Sequence, residues 1–405
     1  ELDNAMSKYN PEQGLILAMD PDTGEVLAMA SRPNFNSNNY QDYSTEIINR
    51  NLPIWMTYEP GSTFKIITLS AALEEQTINL FEDTFTDTGA INVDGSTIHC
   101  WKSGGHGTQT MLEVVENSCN PGFVRIGQTL GVETLMSYID AYGFGEETGI
   151  DLNGESTGIL FDVDEMGPVE LATTSFGQGI SVTPIQQVRA VSPAINGGKL
   201  YTPYIVGAFL ESETDSLIEK VEPVVTREVI SEETSSLVRY ALESVVANGS
   251  GKNAYIENYR VGGKTGTAQK VQDGSYLDGN YILSFMGFMP ADDPEIVVYV
   301  AIDNPKGVTQ YGGVVSAPIA RNVLLSAIDI LDIEPSKEGM AKEYTWLDKK
   351  YSILPDVVGM TKEEAAKTLK NYRIEYSGSG DKVIYMSPNA GYYAAEGETI
   401  MLLLG

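Results

Sequence analysis

The apolar positions of this chain change period along its length, and the changes mark its elements. Two short apolar runs, Leu15-Ile16-Leu17-Ala18-Met19-Asp20 and Glu25-Val26-Leu27-Ala28-Met29-Ala30, flank Pro21-Asp22-Thr23-Gly24 and predict a hairpin. The spacing then becomes helical over 64–75, 111–116, 122–130, 132–142, 184–195 and 232–247. Strand patterns return at 260–269, 281–289 and 295–303, with Asn280 and Ala291-Asp292-Asp293-Pro294 as turn material, and a last helical pattern covers 315–331. Strands at both ends of a helical middle imply an α+β fold, an antiparallel sheet whose first and last strands meet in space.

Periodicity fades over 334–351, where charge and Pro335-Ser336 predict a linker. A small α+β unit follows. Its helix, 361–371, opens on a Thr361-x-x-Glu364 capping box, and strands are expected at 373–376, 383–386 and 399–404. The expected organisation is a domain over 1–333, a linker over 334–353 and a small domain over 354–405.

Charge narrows the function classes. Acidic residues outnumber basic ones 56 to 26, for a net charge of -30. No Lys/Arg stripe supplies the attraction that nucleic-acid binding requires, so nucleic acid is excluded as a partner. No charge-free apolar run reaches the roughly 18 residues that read as a bilayer span. Glu1 opens a polar segment without a signal-like apolar stretch, which leaves a cytosolic protein or one whose N-terminal anchor lies outside this chain.

Three segments carry candidate chemistry. Ser62 and Lys65 stand in Pro60-Gly61-Ser62-Thr63-Phe64-Lys65 at the start of a helical pattern. Residues three apart share a helix face, so Lys65 is within reach of the Ser62 hydroxyl as its base. Ser118-Cys119-Asn120 and Lys264-Thr265-Gly266-Thr267 follow. Singly, each has an ordinary reading: Ser62 as a helix cap, Asn120 as the cap of a helix entered at Pro121, Lys264 to Thr267 as a strand end. Their joint occurrence in this order does not. Trp101, Tyr281 and Phe285 read as packing residues.

These segments resemble the motif set of penicillin-binding proteins and class A β-lactamases. With the hairpin and with Gly177-Gln178-Gly179 before Thr183-Pro184, roughly the first four-fifths of the chain is similar to class B penicillin-binding proteins. The resemblance implies the penicillin-binding transpeptidase fold, shared with serine β-lactamases, and a peptidoglycan D,D-transpeptidase that β-lactams inhibit. It implies Ser62 as nucleophile toward a D-Ala-D-Ala stem peptide, Lys65 as base, Ser118 as proton relay toward Lys264 and the leaving amine, and Asn120 as support for Lys65 and the substrate amide. Backbone N–H groups of Ser62 and Thr267 would hold the oxyanion. Thr265 and Thr267 would meet the terminal carboxylate, and Gly266 would leave room for a substrate strand. No cofactor is implied for catalysis. An N-terminal membrane helix and a pedestal domain outside this chain are implied, hence the extracytoplasmic face of the cell membrane and a SEDS-type glycosyltransferase as partner.

Pro355-Asp356-Val357-Val358-Gly359 and the helix after it resemble a PASTA domain. A single such unit implies spore cortex or septal wall synthesis. A β-lactamase or β-lactam-sensing receptor with the same motifs is the alternative, and a silent binding module a third reading. The PASTA-like unit speaks against the former and the intact Ser62, Lys65, Ser118, Asn120 and Lys264 set against the latter. A carboxypeptidase differs only in accepting water.

The two cysteines, Cys100 and Cys119, bracket His106, and Asp87 lies on a strand-like segment that could return beside Cys100. Zinc takes four N, S or O donors, so Asp87, Cys100, His106 and Cys119 form a candidate structural site. The same four positions match, by resemblance, the zinc ligands of some class B transpeptidases. A Cys100–Cys119 disulfide is the alternative, but it gives His106 no use. His99 would point to the other side of its strand and is left out.

Overall fold

Five antiparallel strands organise the longer part of the chain: β1 (Gln13–Met19), β2 (Val26–Arg32), β3 (Gly262–Gln272), β4 (Ser275–Met289) and β5 (Ile296–Asp303). Their order is β3-β4-β5-β1-β2. The two ends of the sequence therefore meet inside one sheet, Gln13 beside Asp303 and Leu17 beside Tyr299, as a helical middle between strands predicts. β3 is an edge strand, paired only with β4 among the described residues. The coordinates are a computed structural model that describes residues 1–272, 274–342 and 350–405.

Alternation along the strands sends side chains to two cores. Leu15, Leu17, Met286, Phe288 and Tyr299 face the helices α1 (Lys65–Glu74), α2 (Asn120–Leu130), α3 (Pro184–Ile195) and α4 (Glu232–Ala247). Ile16, Leu283, Phe285, Val298 and Val300 face α5 (Gly312–Leu331). Every residue from Lys65 to Leu73 is buried, and so is every residue of α3, because both helices lie inside the layer between sheet and surface helices. Thr183 starts α3 with a capping box, its hydroxyl accepting from Gln186 N while the Gln186 side chain accepts from Thr183 N. α5 is long and apolar enough to cross a membrane by length and composition alone, and here it packs Val315, Ala320 and Leu324 into the second core.

Three features differ from expectation. The β3–β4 ladder extends past the sheet body as a hairpin, Val271 pairing with Tyr276, where Lys270, Gln272 and Asp278 hide the strand pattern. Two short ribbons, Thr84–Asp87 with Gly107–Thr110 and Ala90–Val93 with Ser96–His99, occupy the stretch that carries the candidate metal ligands. The helix read from 122 begins at Asn120.

The chain divides into two compact units, Glu1–Lys342 and Glu343–Gly405. Ser336 N donates to Asn258 O and Met340 N to Glu243 Oε1, so the segment after α5 lies along the first unit. Residues 343–349 of the predicted linker lie outside the described residues. In the second unit the helix Lys362–Thr368 opens on the Thr361/Glu364 capping box, and strands Arg373–Gly378, Thr399–Leu404 and Val383–Ser387 form a sheet over Val357, Leu369, Met386 and Leu402.

Candidate active site

Ser62 lies in a 3-10 turn, Gly61–Thr63, that leads into α1. The turn is fixed from below: Gly61 N donates to Gly177 O at 2.9 Å. Gly177 has φ 82, and a Cβ there would stand 2.2 Å from Gly61 O, so only glycine fits. Ser62 makes no capping bond, which removes the cap reading of this residue.

Lys65, the first residue of α1, is 1% exposed. Its Nζ donates to Asn120 Oδ1 at 2.7 Å, to Ser118 O at 2.9 Å and to Ser118 Oγ at 3.2 Å. It lies 5.1 Å from the centre of the Phe123 ring, a further source of cation stabilisation. Burial nevertheless favours the neutral amine and lowers its pKa to about 7, against the opposing pull of Cys119 and Cys100. The Ser62 hydroxyl has no hydrogen bond to Lys65 among the described residues. The expected direct pair is replaced by a Lys65 held to the second motif.

Ser118 has φ 52, a left-handed backbone that a non-glycine residue adopts at a cost of about 1–3 kcal/mol. That conformation turns its hydroxyl toward both lysines. Lys264 Nζ, fully buried, donates to Ser118 Oγ at 2.7 Å and to Thr265 O at 3.2 Å. Burial holds the Lys264 pKa well below its ordinary value, and the neighbouring Lys65 lowers it further. Asn120 is the first residue of α2, entered through Cys119, and its side chain serves Lys65 instead of capping the helix.

Along β3 the residues alternate between the two sides. Lys264, Gly266 and Ala268 pair with Met286, Ser284 and Ile282. Thr265 Oγ1 lies 2.9 Å from Ser250 Oγ, and Thr267 Oγ1 accepts from Gly312 N at 3.2 Å. A Cβ at Gly266 would stand 2.1 Å from Ser284 Oγ. The glycine is thus demanded by close packing on β4, a reason absent from the sequence reading, which credited it only with room for a peptide.

Phe285 is buried, and Tyr281 packs against the second core, as expected of packing residues. Trp101 is not one: it is 52% exposed, donates from Nε1 to Asn117 O at 2.8 Å, and sits edge-on to His106 and Tyr311. Its aromatic body invited a core assignment, but it lies in a bend past the end of the Ser96–His99 strand, whose Ile98 and not the indole packs on the core.

Asp87, Cys100, His106 and Cys119 converge, with one donor atom from each lying within 4.8 Å of the others. His106 Nδ1 is 2.8 Å from Asp87 Oδ2 and 3.4 Å from Cys100 Sγ, and both cysteines are free thiols, not a disulfide. His106 Nε2 is buried without a hydrogen-bond partner. Burial raises the Cys119 pKa to about 12 and raises that of Cys100. Burial would also raise Asp87, but hydrogen bonds from Cys100, Gly89 and His106 outweigh it and bring the carboxyl to about 2. Two thiols, one imidazole and one carboxylate are a donor set suited to tetrahedral zinc. His99 lies on the strand before Cys100 and offers only its carbonyl, to Asn120 Nδ2 at 3.5 Å.

Sequence reading missed Ser250, Glu59 and Tyr276 at this site. Ser250 is brought to Thr265 by the end of α4, a contact over 15 positions that no local pattern encodes.

Comparison with known proteins agrees with this geometry. The family described as penicillin binding protein transpeptidase domain matches residues 14–325, and the PASTA domain matches residues 352–405. The chain is 56% identical over 404 residues to stage V sporulation protein D of Bacillus subtilis (strain 168), covering 100% of this chain and 62% of that protein. It is 33% identical over 338 residues to peptidoglycan D,D-transpeptidase FtsI of Escherichia coli (strain K12), covering 83% of this chain and 54% of the relative. The chain thus spans less than two thirds of the length of these curated relatives. The solved apo structure of the TP domain from Burkholderia pseudomallei penicillin-binding protein 3 superposes with TM-score 0.71 at 30% identity, covering 82% of this chain and 93% of the other. The first unit carries the motifs in one buried cluster and in the matching fold; the chain belongs to the penicillin-binding protein transpeptidase family.

Proposed function

We propose that this protein is a serine D,D-transpeptidase that cross-links peptidoglycan stem peptides and is acylated by β-lactams. The observation that carries the reading is the buried cluster in which Lys65 and Lys264 share the Ser118 hydroxyl one helical turn from Ser62. A lysine whose pKa is lowered to about 7 holds a substantial neutral fraction near neutral pH and can accept a proton that an exposed lysine cannot.

In this mechanism the Ser62 hydroxyl oxygen attacks the carbonyl carbon of the penultimate D-Ala, and its proton passes to Lys65. The backbone N–H groups of Ser62 and Thr267 stabilise the oxyanion. The C–N bond breaks, Ser118 relays the proton to the leaving amine, and D-Ala departs. An amine from a second stem then attacks the ester, and Ser62 recovers its proton by the reverse route. Asn120 positions Lys65 and the substrate amide. Thr265 and Thr267 receive the terminal carboxylate, and the peptide adds to the free edge of β3.

Zinc held by Asp87, Cys100, His106 and Cys119 would supply no chemistry to these steps. It would anchor Cys119 and so fix the flanking Ser118 and Asn120. The convergent donors and the free thiols support the assignment.

The substrate places the enzyme at the extracytoplasmic face of the cell membrane. The relative named as a sporulation protein favours spore cortex synthesis over septation. A SEDS-type glycosyltransferase is the proposed membrane partner. The β-lactamase alternative is not favoured, since the relatives named above are a sporulation protein and a D,D-transpeptidase. Intact mass after incubation with benzylpenicillin tests the reading. A long-lived adduct on Ser62 is expected, whereas rapid return to the free mass would mark a β-lactamase.

A further inference from the structure

Glu59 stands three residues before Ser62 and gathers contacts from two other segments. Its Oε1 accepts from Gly179 N at 2.9 Å and from the Tyr276 hydroxyl at 3.0 Å, while Oε2 lies 3.2 Å from the same hydroxyl. Tyr276 belongs to the hairpin that prolongs β3 and β4, where it pairs with Val271. Gly179 belongs to the loop whose Gly177 supports the Ser62 turn. One carboxylate therefore ties the nucleophile's turn, the loop beneath it and the end of the substrate-binding strand.

The position of this tie gives it a consequence. Ser62's turn abuts β3 at Gly266 and Ala268: a Cβ at Gly61 would lie 3.2 Å from Ala268 Cβ. A donor whose carboxylate sits at Thr265 and Thr267 and which pairs with β3 runs its remaining residues past Ala268, toward Val271. The Tyr276–Glu59 contact joins the segment before Ser62 to the β3–β4 hairpin at that end.

We propose that Tyr276 and Glu59 form a bar across the donor channel that discriminates acyl donors by length: a short donor fits inside it, and a stem with further residues must displace the Tyr276 hydroxyl to bind. Neither residue touches the reacting atoms, so both act on binding and not on the chemical step. Burial raises the Glu59 pKa, against the hydrogen bonds from Gly179 and Tyr276, which agrees with a carboxylate enclosed at that junction. The inference rests on the transpeptidase reading above.

The test compares wild type, Tyr276→Phe and Glu59→Gln on two thioester donors, an N-benzoyl-D-alanyl thioester and the same D-alanyl thioester extended by the preceding stem residues. Loss of the charge-assisted bond in Tyr276→Phe should lower KM for the extended donor by about fivefold or more. Its kcat, and both constants of the short donor, should stay within about twofold. Glu59→Gln weakens the same bond but keeps an acceptor for Gly179, and should shift KM in the same direction by less. An unchanged or raised KM for the extended donor in Tyr276→Phe overturns the bar. Equal changes for both donors overturn it too, since a packing defect does not read donor length. Penicillin labelling separates the two levels of inference: a wild type that takes no adduct overturns the transpeptidase reading and the bar with it, while normal labelling with no length effect overturns the bar alone.

Discussion

Lys65 and Lys264 point their amines at a single oxygen, Ser118 Oγ, at 3.2 and 2.7 Å, although they lie on different sides of the domain's sequence. Two adjacent buried ammonium ions would repel without a counter-charge, so each disfavours the charged form of the other, and burial adds to this at Lys264. The hydroxyl between them is a path for a proton. Ser62 lies one turn away with its own hydroxyl free of other partners among the described residues, the arrangement from which the following predictions are drawn.

Replacing the proposed nucleophile separates binding from reaction. Ser62→Ala removes the only atom proposed to bond to the acyl group and leaves the lysine cluster untouched. Covalent penicillin labelling should fall by about three orders of magnitude or more. Intact mass on both proteins checks this, and an adduct that persists on Ser62→Ala would remove the nucleophile assignment.

The pH dependence follows from the sign of the Lys65 shift. Its pKa is lowered to about 7, so the neutral form that can take the Ser62 proton is scarce below that value and dominant above it. Acylation by a penicillin should therefore rise about tenfold per pH unit on the acid side and level off above about pH 7. The second-order acylation rate measured from pH 5.5 to 9 reads this limb directly. A profile that instead rises up to the ordinary lysine range would mean that Lys65 is solvated in the working enzyme.

Gly266 allows packing and substrate space to be told apart. Gly266→Ala brings a Cβ to within 2.1 Å of Ser284 Oγ, which overpacks the β3–β4 contact and should cost about 1–3 kcal/mol. Ser284→Gly in the same chain removes the clashing atom and should restore most of the lost stability, read as Tm. If Tm recovers while acylation does not, the methyl group also obstructs the donor; if Tm stays low, the clash lies elsewhere.

Much of this architecture was legible because its signals are local. Turn residues at Pro21 to Gly24, the helical period of α1 and α4 and the Thr361/Glu364 capping box each depend on neighbours within a few positions. The Ser62, Ser118 and Lys264 motifs were legible because chemistry restricts their residue types. The hairpin end of β3 was not: its apolar residues Val271 and Tyr276 are themselves half exposed, so burial imposes no alternation there. Glu59, Ser250 and Tyr276 escaped because their roles arise from contacts across the fold, 217 positions apart for Glu59 and Tyr276. Trp101 was misjudged because residue type alone does not reveal whether a core lies nearby.

Metal content is the last test, and its direction follows from the thiols. Without an ion, burial holds Cys119 at about 12 and raises Cys100, so both stay protonated. Zinc binding must displace those protons, and its affinity should therefore rise with pH. Cys119→Ser removes one donor of four while keeping a similar volume. Bound zinc, measured by native mass spectrometry, should fall from about one ion per chain to near none, and Tm should fall with it. EDTA should produce the same Tm loss in wild type and none in Cys119→Ser, and added zinc should reverse it. Penicillin acylation should slow in parallel, since Ser118 and Asn120 flank the lost ligand. A wild-type protein that carries no zinc and whose Tm ignores EDTA would leave the four residues as a hydrogen-bonded cluster and end the metal assignment.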